Sequence, residues 1–252
     1  MLWLVDHPLV FFGVTLVLLW GAAESGVFIR FRVHRLNASE RAEFDVVRNA
    51  MFTLLGLMVG FAISMAVTRY DLRKNYEEAE ANAIGTEYLR LDLMPPETAA
   101  AASALLKTYA EERVAFYVEP DPDRQSKNDV ETARTQSALW AAIAPEAKTG
   151  RTAIDALVAA GMNDVLNAQG YTLGAWRNRL PVEVWILLVV LAAACSFLVG
   201  FGAERLSPAT HAVLPLTAAL AILLIADVEG PRNGLVRVEP VNLEYALAAM
   251  RQ

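Results

Sequence analysis

The sequence predicts an all-α membrane protein with four transmembrane helices and a helical extramembrane insert between the second and third spans. Three observations carry this. First, 55% of the 252 residues are hydrophobic and only 20% are charged, where a soluble domain has about 45–50% apolar and about 25% charged residues. Second, the apolar residues gather in four runs, each long enough to cross a bilayer. Third, the polar stretch between Arg69 and Pro181 has helical periodicity and no alternation of β-branched residues. The composition excludes a disordered chain and an average soluble enzyme. The lone cysteine, Cys195, makes no intramolecular disulfide and no cysteine-cluster metal site. A formal net charge of −6 argues against a nucleic-acid partner.

The first span runs from Pro8 to Ile29 and is interrupted only by Glu24. The segment before it, Met1 to His7, contains Asp6 and no Lys or Arg. A secretory signal starts on a basic stretch, so this run is expected to stay as an uncleaved span. The second span runs from Asn49 to Thr68, with no charge between Arg48 and Arg69. The third runs from Val184 to Ala203 and the fourth from Pro208 to Ala226, with a kink expected at Pro215. Only Glu204-Arg205-Leu206-Ser207 separates these two, which implies a tight antiparallel hairpin. A 20-residue helix is about 30 Å long, the thickness of the hydrocarbon core.

Within the insert, Tyr76, Ala79, Ala83, Ile84, Tyr88 and Leu91 form one helical stripe, with Glu77, Glu78, Glu80, Glu87 and Arg90 on the other side. Pro95-Pro96 ends that helix, and Glu97 opens the next, with Leu105, Leu106, Tyr109 and Phe116 on its stripe. Glu119 to Asp129 reads as a polar loop. A helix from Glu131 to Ile143 is expected to end at Pro145. Another follows on Ile154, Leu157, Val158, Gly161, Met162, Val165, Leu166 and Gln169. The organisation expected is therefore spans one and two in 1–68, the helical insert in 69–182, the hairpin in 183–227 and a polar C-terminal tail in 228–252.

Catalytic and metal-binding patterns are missing. His7, His34 and His211 lie in three separate regions without ligand spacing, and no H-E-x-x-H, P-loop or G-x-S-x-G motif occurs. Ser64 and Ser196 sit in spans without a nearby base, and Cys195 reads as a packing residue. Glu119, Asp121, Asp123 and Asp129 lack the glycine and spacing of a calcium loop. No enzyme activity, cofactor or metal is expected. Asp227 and Glu229 follow the last span and read as interfacial charges.

The second span is more informative. Gly56, Gly60 and Ser64 form a small-xxx-small ridge that lets another helix approach closely. Beside it, Thr53, Leu57, Phe61 and Met65 form a second stripe, also four apart. On the residues alone, this stripe faces either lipid or the central axis of an oligomer. The third span repeats the small ridge at Ala192, Ser196 and Gly200.

The stretch Gly60-Phe61-Ala-Ile-Ser-Met-Ala-Val-Thr-Arg69-Tyr70 resembles the second transmembrane helix of bestrophins. With Asp71-x-Arg73, Glu80-Ala-Asn-Ala-Ile-Gly-Thr86-x-Tyr-Leu-Arg90 and the tail Ala226-Asp-Val-Glu-Gly-Pro-Arg-Asn-Gly234-Leu-Val-Arg-Val-Glu-Pro240, it is similar to a bacterial, bestrophin-like membrane family. The resemblance implies a homo-oligomeric ion channel, a pentamer in the inner membrane, passing small inorganic ions. It places Thr53, Leu57 and Phe61 on the pore, with Gly56, Gly60 and Ser64 as the helix-packing ridge. It also implies that the termini and the insert are cytoplasmic, which the nearly equal counts of basic residues on the two sides leave open. Thr53 is polar where that family favours an apolar residue, and Tyr70-Asp71 stands where bestrophins carry paired tryptophans. The other reading of the same spans is a non-conducting membrane protein whose helical insert binds a partner or senses a signal.

Overall fold

The computed structural model describes residues 5–32, 37–150, 152–203, 208–230, 232 and 234–251, with the side chains of Ala38, Ala147, Thr149 and 208–211 left aside. His34, the His211 side chain and the expected Glu204–Ser207 turn lie outside the described residues. The described residues form eight helices and no strand: α1 (Pro8–Arg32), α2 (Ala38–Leu91), α3 (Pro96–Val118), α4 (Pro122–Thr149), α5 (Ala153–Arg177), α6 (Val182–Phe201), α7 (Pro208–Glu229) and α8 (Val241–Ala249). The all-α prediction therefore holds. Four apolar windows of span length lie in Pro8–Arg32, Ser39–Leu91, Ala153–Phe201 and Ala212–Glu229. The third of these ranges contains both α5 and α6, and its apolar part is α6.

α2 is one unbroken helix of 54 residues. Its start is a reciprocal cap: Asn37 Oδ1 accepts from Ser39 N and Glu40 N, while Glu40 Oε2 accepts from Asn37 N. No proline lies between Ala38 and Leu91, so nothing interrupts the ladder before Pro95-Pro96.

The chain divides into two compact units, Met1–Arg69 with Arg179–Arg237, and Tyr70–Asn178 with Val238–Gln252. In the first unit α1 packs along α6 and α7. The α1–α6 contact is backbone on backbone. A Cβ on Gly200 would overlap the carbonyl of Ala23, and one on Gly26 would overlap the carbonyl of Phe197. The ridge Ala192, Ser196 and Gly200 is buried, so the third span packs closely within the chain. Arg30 Nε, also buried, donates to the Ala203 carbonyl at 3.1 Å just beyond the end of α6, where positive charge is favoured.

Asp227 and Glu229, expected as interfacial charges, are held by backbone N–H groups of the protein. Both are buried in the protein. Asp227 accepts the N–H groups of Leu235 (2.7 Å) and Val236 (3.0 Å), and Glu229 accepts that of Leu180 at 2.7 Å. A Cβ on Gly234 would stand 2.5 Å from Asp227 Oδ1, so the turn closes onto Asp227 only with glycine there.

The second unit contains α2 from Tyr70 onward, with α3, α4, α5 and α8. Its core includes Ile84, Leu106, Leu139, Val158 and Met162, all essentially inaccessible. Here the structure departs from the sequence expectation in several places. The stripe of α2 that is buried is Arg73, Glu77, Glu80, Ile84, Glu87 and Leu91, whereas Ala79 is exposed and Tyr76 only half-buried. Of the charges expected on the outer side, Glu77, Glu80 and Glu87 are thus inside, while Glu78 is exposed and Arg90 half-buried as expected of an outer face. Arg73 donates to the carbonyls of Ala175 and Asn178 at the end of α5, each at 3.2 Å. Glu77 accepts Leu243 N at 2.9 Å and Asn242 Nδ2 at 2.6 Å, at the start of α8. Glu80 meets Arg113 Nε at 2.5 Å and the hydroxyls of Thr172 at 3.1 Å and Tyr117 at 3.4 Å. Burial, then the Glu80 charge, raises the Tyr117 hydroxyl above its ordinary range.

Second, most of Glu119 to Asp129 is helix. Asp121 caps α4 by accepting Asp123 N, and Pro122 suits the first helical position. Third, α4 continues through Pro145 to Thr149; near a helix end a proline removes only one backbone bond. Fourth, the tail does not stay apart as a polar segment. Its second half is α8, with Leu243 and Leu247 buried, and Glu77 supplies the N-terminal cap that Pro240 lacks. Along α5 the buried face is Val158, Gly161, Met162 and Val165, while Ile154 and Leu157 are exposed.

Arg113→Met leaves the Glu80 carboxylate buried beside hydroxyls alone. It should lower stability by about 3–5 kcal/mol, read from chemical unfolding in detergent. Combining it with Glu80→Leu should recover part of that loss.

Candidate functional site

The apolar part of α2 has one covered side. Leu55, Ala62 and Ala66 are buried in the first unit, and Met51, Phe52, Met58, Val59 and Ile63 pack partly against the same core. Cys195 lies on the α6 side of this contact, with its thiol 3.5 Å from the Met51 carbonyl. This bears out its reading as a packing residue. These covered positions recur at helical spacing, which orients the rest of α2 outward from the unit.

The outward side carries every residue singled out in the sequence. Leu57 is 51% exposed and Phe61 55%, and Thr53 is exposed as well. Leu54, Met65 and Val67 extend the uncovered surface. Of the four apolar windows, that of α2 is the least covered, with 17% of its residues buried against 28%, 39% and 44% in the others. A large uncovered apolar surface is what a membrane or another protein chain covers.

Thr53 fits this face despite its hydroxyl. Its Oγ1 donates to the Asn49 carbonyl one turn back at 3.0 Å, so the polar group is satisfied by its own helix. Thr68 does the same with the Ser64 carbonyl at 2.8 Å. The polarity that sets Thr53 apart in the sequence is therefore muted in the fold. Hydrogen-bond bookkeeping of this kind is not visible in residue type.

The ridge Gly56, Gly60 and Ser64 is exposed. A Cβ built on Gly56 or Gly60 would meet no described atom within 4 Å. Within one chain this ridge packs against nothing described, unlike the Ala192, Ser196, Gly200 ridge of α6, which lies against α1. The two patterns look alike in the sequence and differ in the fold. Among the described residues, no three His, Cys, Asp or Glu side chains gather as a metal site.

The comparisons agree with this architecture. A family model described as a bestrophin-like domain matches residues 15–243. No curated protein matches the chain. Among solved structures, one of a bacterial bestrophin homologue from Klebsiella pneumoniae superposes with a TM-score of 0.66 at 15% identity, covering 94% of this chain and 97% of that one. A tryptophan-to-alanine mutant from the same organism gives a TM-score of 0.68 at 14% identity, covering 96% and 97%. At such identities the likeness establishes a shared fold.

The two glycine ridges should respond oppositely to substitution. Gly60→Ala, with open space at its Cβ, should leave the fold of the single chain unharmed or stabilise it by about 0.5–1 kcal/mol through helix propensity. Gly200→Ala forces α1 and α6 apart and should destabilise by about 1–3 kcal/mol. Thermal unfolding of the two variants, dissociated to single chains in the same detergent, checks both.

Proposed function

We propose that this chain, which belongs to the bestrophin-like family, assembles as a homopentamer and passes small inorganic ions across the bacterial inner membrane. Its pore is lined by Thr53, Leu57 and Phe61 of α2. The observation that carries this reading is the uncovered stripe of those three residues beside an uncovered glycine ridge, on a helix whose opposite side is fixed in the protein core.

Side chains four residues apart stand about 6 Å apart along a helix. In a symmetric ring each would form a separate annulus. Leu57 and Phe61 then form two apolar constrictions in series, and apolar constrictions control flux by excluding water. Thr53, with its hydroxyl held by Asn49, presents a third annulus with little free polarity. Gly56, Gly60 and Ser64 are the surface where a neighbouring copy's helix approaches. The chain acts as a channel and not as an enzyme. The termini and the second unit face the cytoplasm.

Purified protein in liposomes should conduct small ions, and Phe61→Ala should raise the flux several-fold by widening the narrowest apolar ring. The mass of the detergent-solubilised protein should be that of five copies. A monomeric mass, or no flux in either the wild type or the variant with any small ion, overturns the proposal.

A further inference from the structure

Glu87 occupies an unusual place. It lies on the buried stripe of α2, fully inaccessible, and neither carboxyl oxygen has a hydrogen-bond partner. It sits directly on the backbone of α5. A Cβ on Gly161 would overlap Glu87 Oε2 and Arg90 Nη1, so these two side chains fill the space that any larger residue would take. Its stripe neighbours Arg73, Glu77 and Glu80 each satisfy a backbone group or a close counter-charge, and Glu87 has only a long ion pair to Arg90 on its own helix. Arg90 Nη1 stands 3.7 Å from Oε2, beyond hydrogen-bonding range, and Arg90 is half-exposed.

We propose that Glu87 is a proton-operated latch inside the second unit. Neutral, it lies dry against Gly161 and lets α2 and α5 close. Ionised, it draws water between the two helices and loosens their contact. The charged groups facing it are Arg90 on its own helix and Asp164 on α5. Burial pushes its carboxyl from the ordinary 4.5 up to about 7; Arg90 opposes this and Asp164 adds to it. The sign follows from linkage. The closed contact holds a proton that the open one releases, so closure is strongest at acid pH and is lost progressively as pH rises from 4.5 through about 7. The latch is independent of whether the chain conducts ions.

The test uses the full chain in detergent micelles, followed by amide hydrogen exchange in the α5 segment around Gly161. After correction for intrinsic exchange, opening of this segment should increase about tenfold between pH 6 and pH 8. Glu87→Gln mimics the neutral acid and should abolish the increase. Asp164→Asn removes the like charge and should shrink it. A wild-type chain without the increase, or a Glu87→Gln chain that keeps it, overturns the proposal. Infrared difference spectra between wild type and Glu87→Gln give a second readout, independent of exchange. The carbonyl band of a protonated carboxyl should be present at pH 6 and lost by pH 8, and its absence at pH 6 refutes the latch.

Discussion

A charge buried on a helix face has to be met where it stands, and the second unit is organised by that requirement. Arg73, Glu77 and Glu80 lie on one stripe of α2, and each engages its own set of partners. Arg73 holds the last carbonyls of α5. Glu77 caps the start of α8. Glu80 binds Arg113 and Tyr117 from α3 and Thr172 from α5. Breaking a buried pair is strongly destabilising, yet an intact one adds little net stability over apolar packing. The free energy of burial comes from Ile84, Leu106, Leu139, Val158 and Met162. What the charges contribute is register: a slip of α2 by one residue would leave all three without partners.

The first unit meets a different constraint. In a bilayer, apolar side chains gain little by leaving lipid for protein, so helices associate through close packing of small residues. The crossing of α1 and α6 at Gly26 and Gly200 is built this way. One device is common to both units. A buried arginine donates to the carbonyls at a helix C-terminus, Arg30 for α6 and Arg73 for α5. In each case the guanidinium satisfies acceptors that the helix leaves unpaired and meets the negative end of its dipole.

What could be read from the sequence followed from solvent. The four spans were legible because a bilayer demands long runs without charge, and Asn49 to Thr68 satisfies that demand without ambiguity. The stripe Thr53, Leu57 and Phe61 was legible as a geometric set, and it does share one exposed face. The buried face of α2 beyond Tyr70 was not legible. Hydropathy places Glu77, Glu80 and Glu87 outside, and only the tertiary packing around them reverses that. The spacing was nevertheless present: Arg73, Glu77, Glu80, Ile84, Glu87 and Leu91 alternate in steps of four and three, the seam of a packed helix. The folding of the tail was hidden for the same reason, since α8 borrows its cap from Glu77, more than 160 positions earlier in the chain. Pro122 and Pro145 misled because the first counts as a turn former and the second as a terminator, when at a first turn proline starts a helix and near an end it is tolerated.

Exposure of Leu57 and Phe61 would by itself argue little, since lipid covers leucine and phenylalanine as well as protein does. The glycines carry more weight. Glycine in a helix interior costs about 0.5–1 kcal/mol relative to alanine, and α2 bears this at Gly56 and again at Gly60. On α6 the equivalent cost at Gly200 is offset within the chain, because the missing side chain admits the backbone of α1. On α2 no such backbone arrives from the described residues of the same chain, and lipid tails gain nothing specific from a groove one methyl deep. A helix from another copy does gain, because close approach multiplies dispersion contacts along the whole ridge. The ridge and the stripe share the open side of α2, so a copy seated on the ridge leaves the stripe as the adjoining surface. Repeated around the closed ring proposed above, that arrangement would turn Thr53, Leu57 and Phe61 toward a common axis.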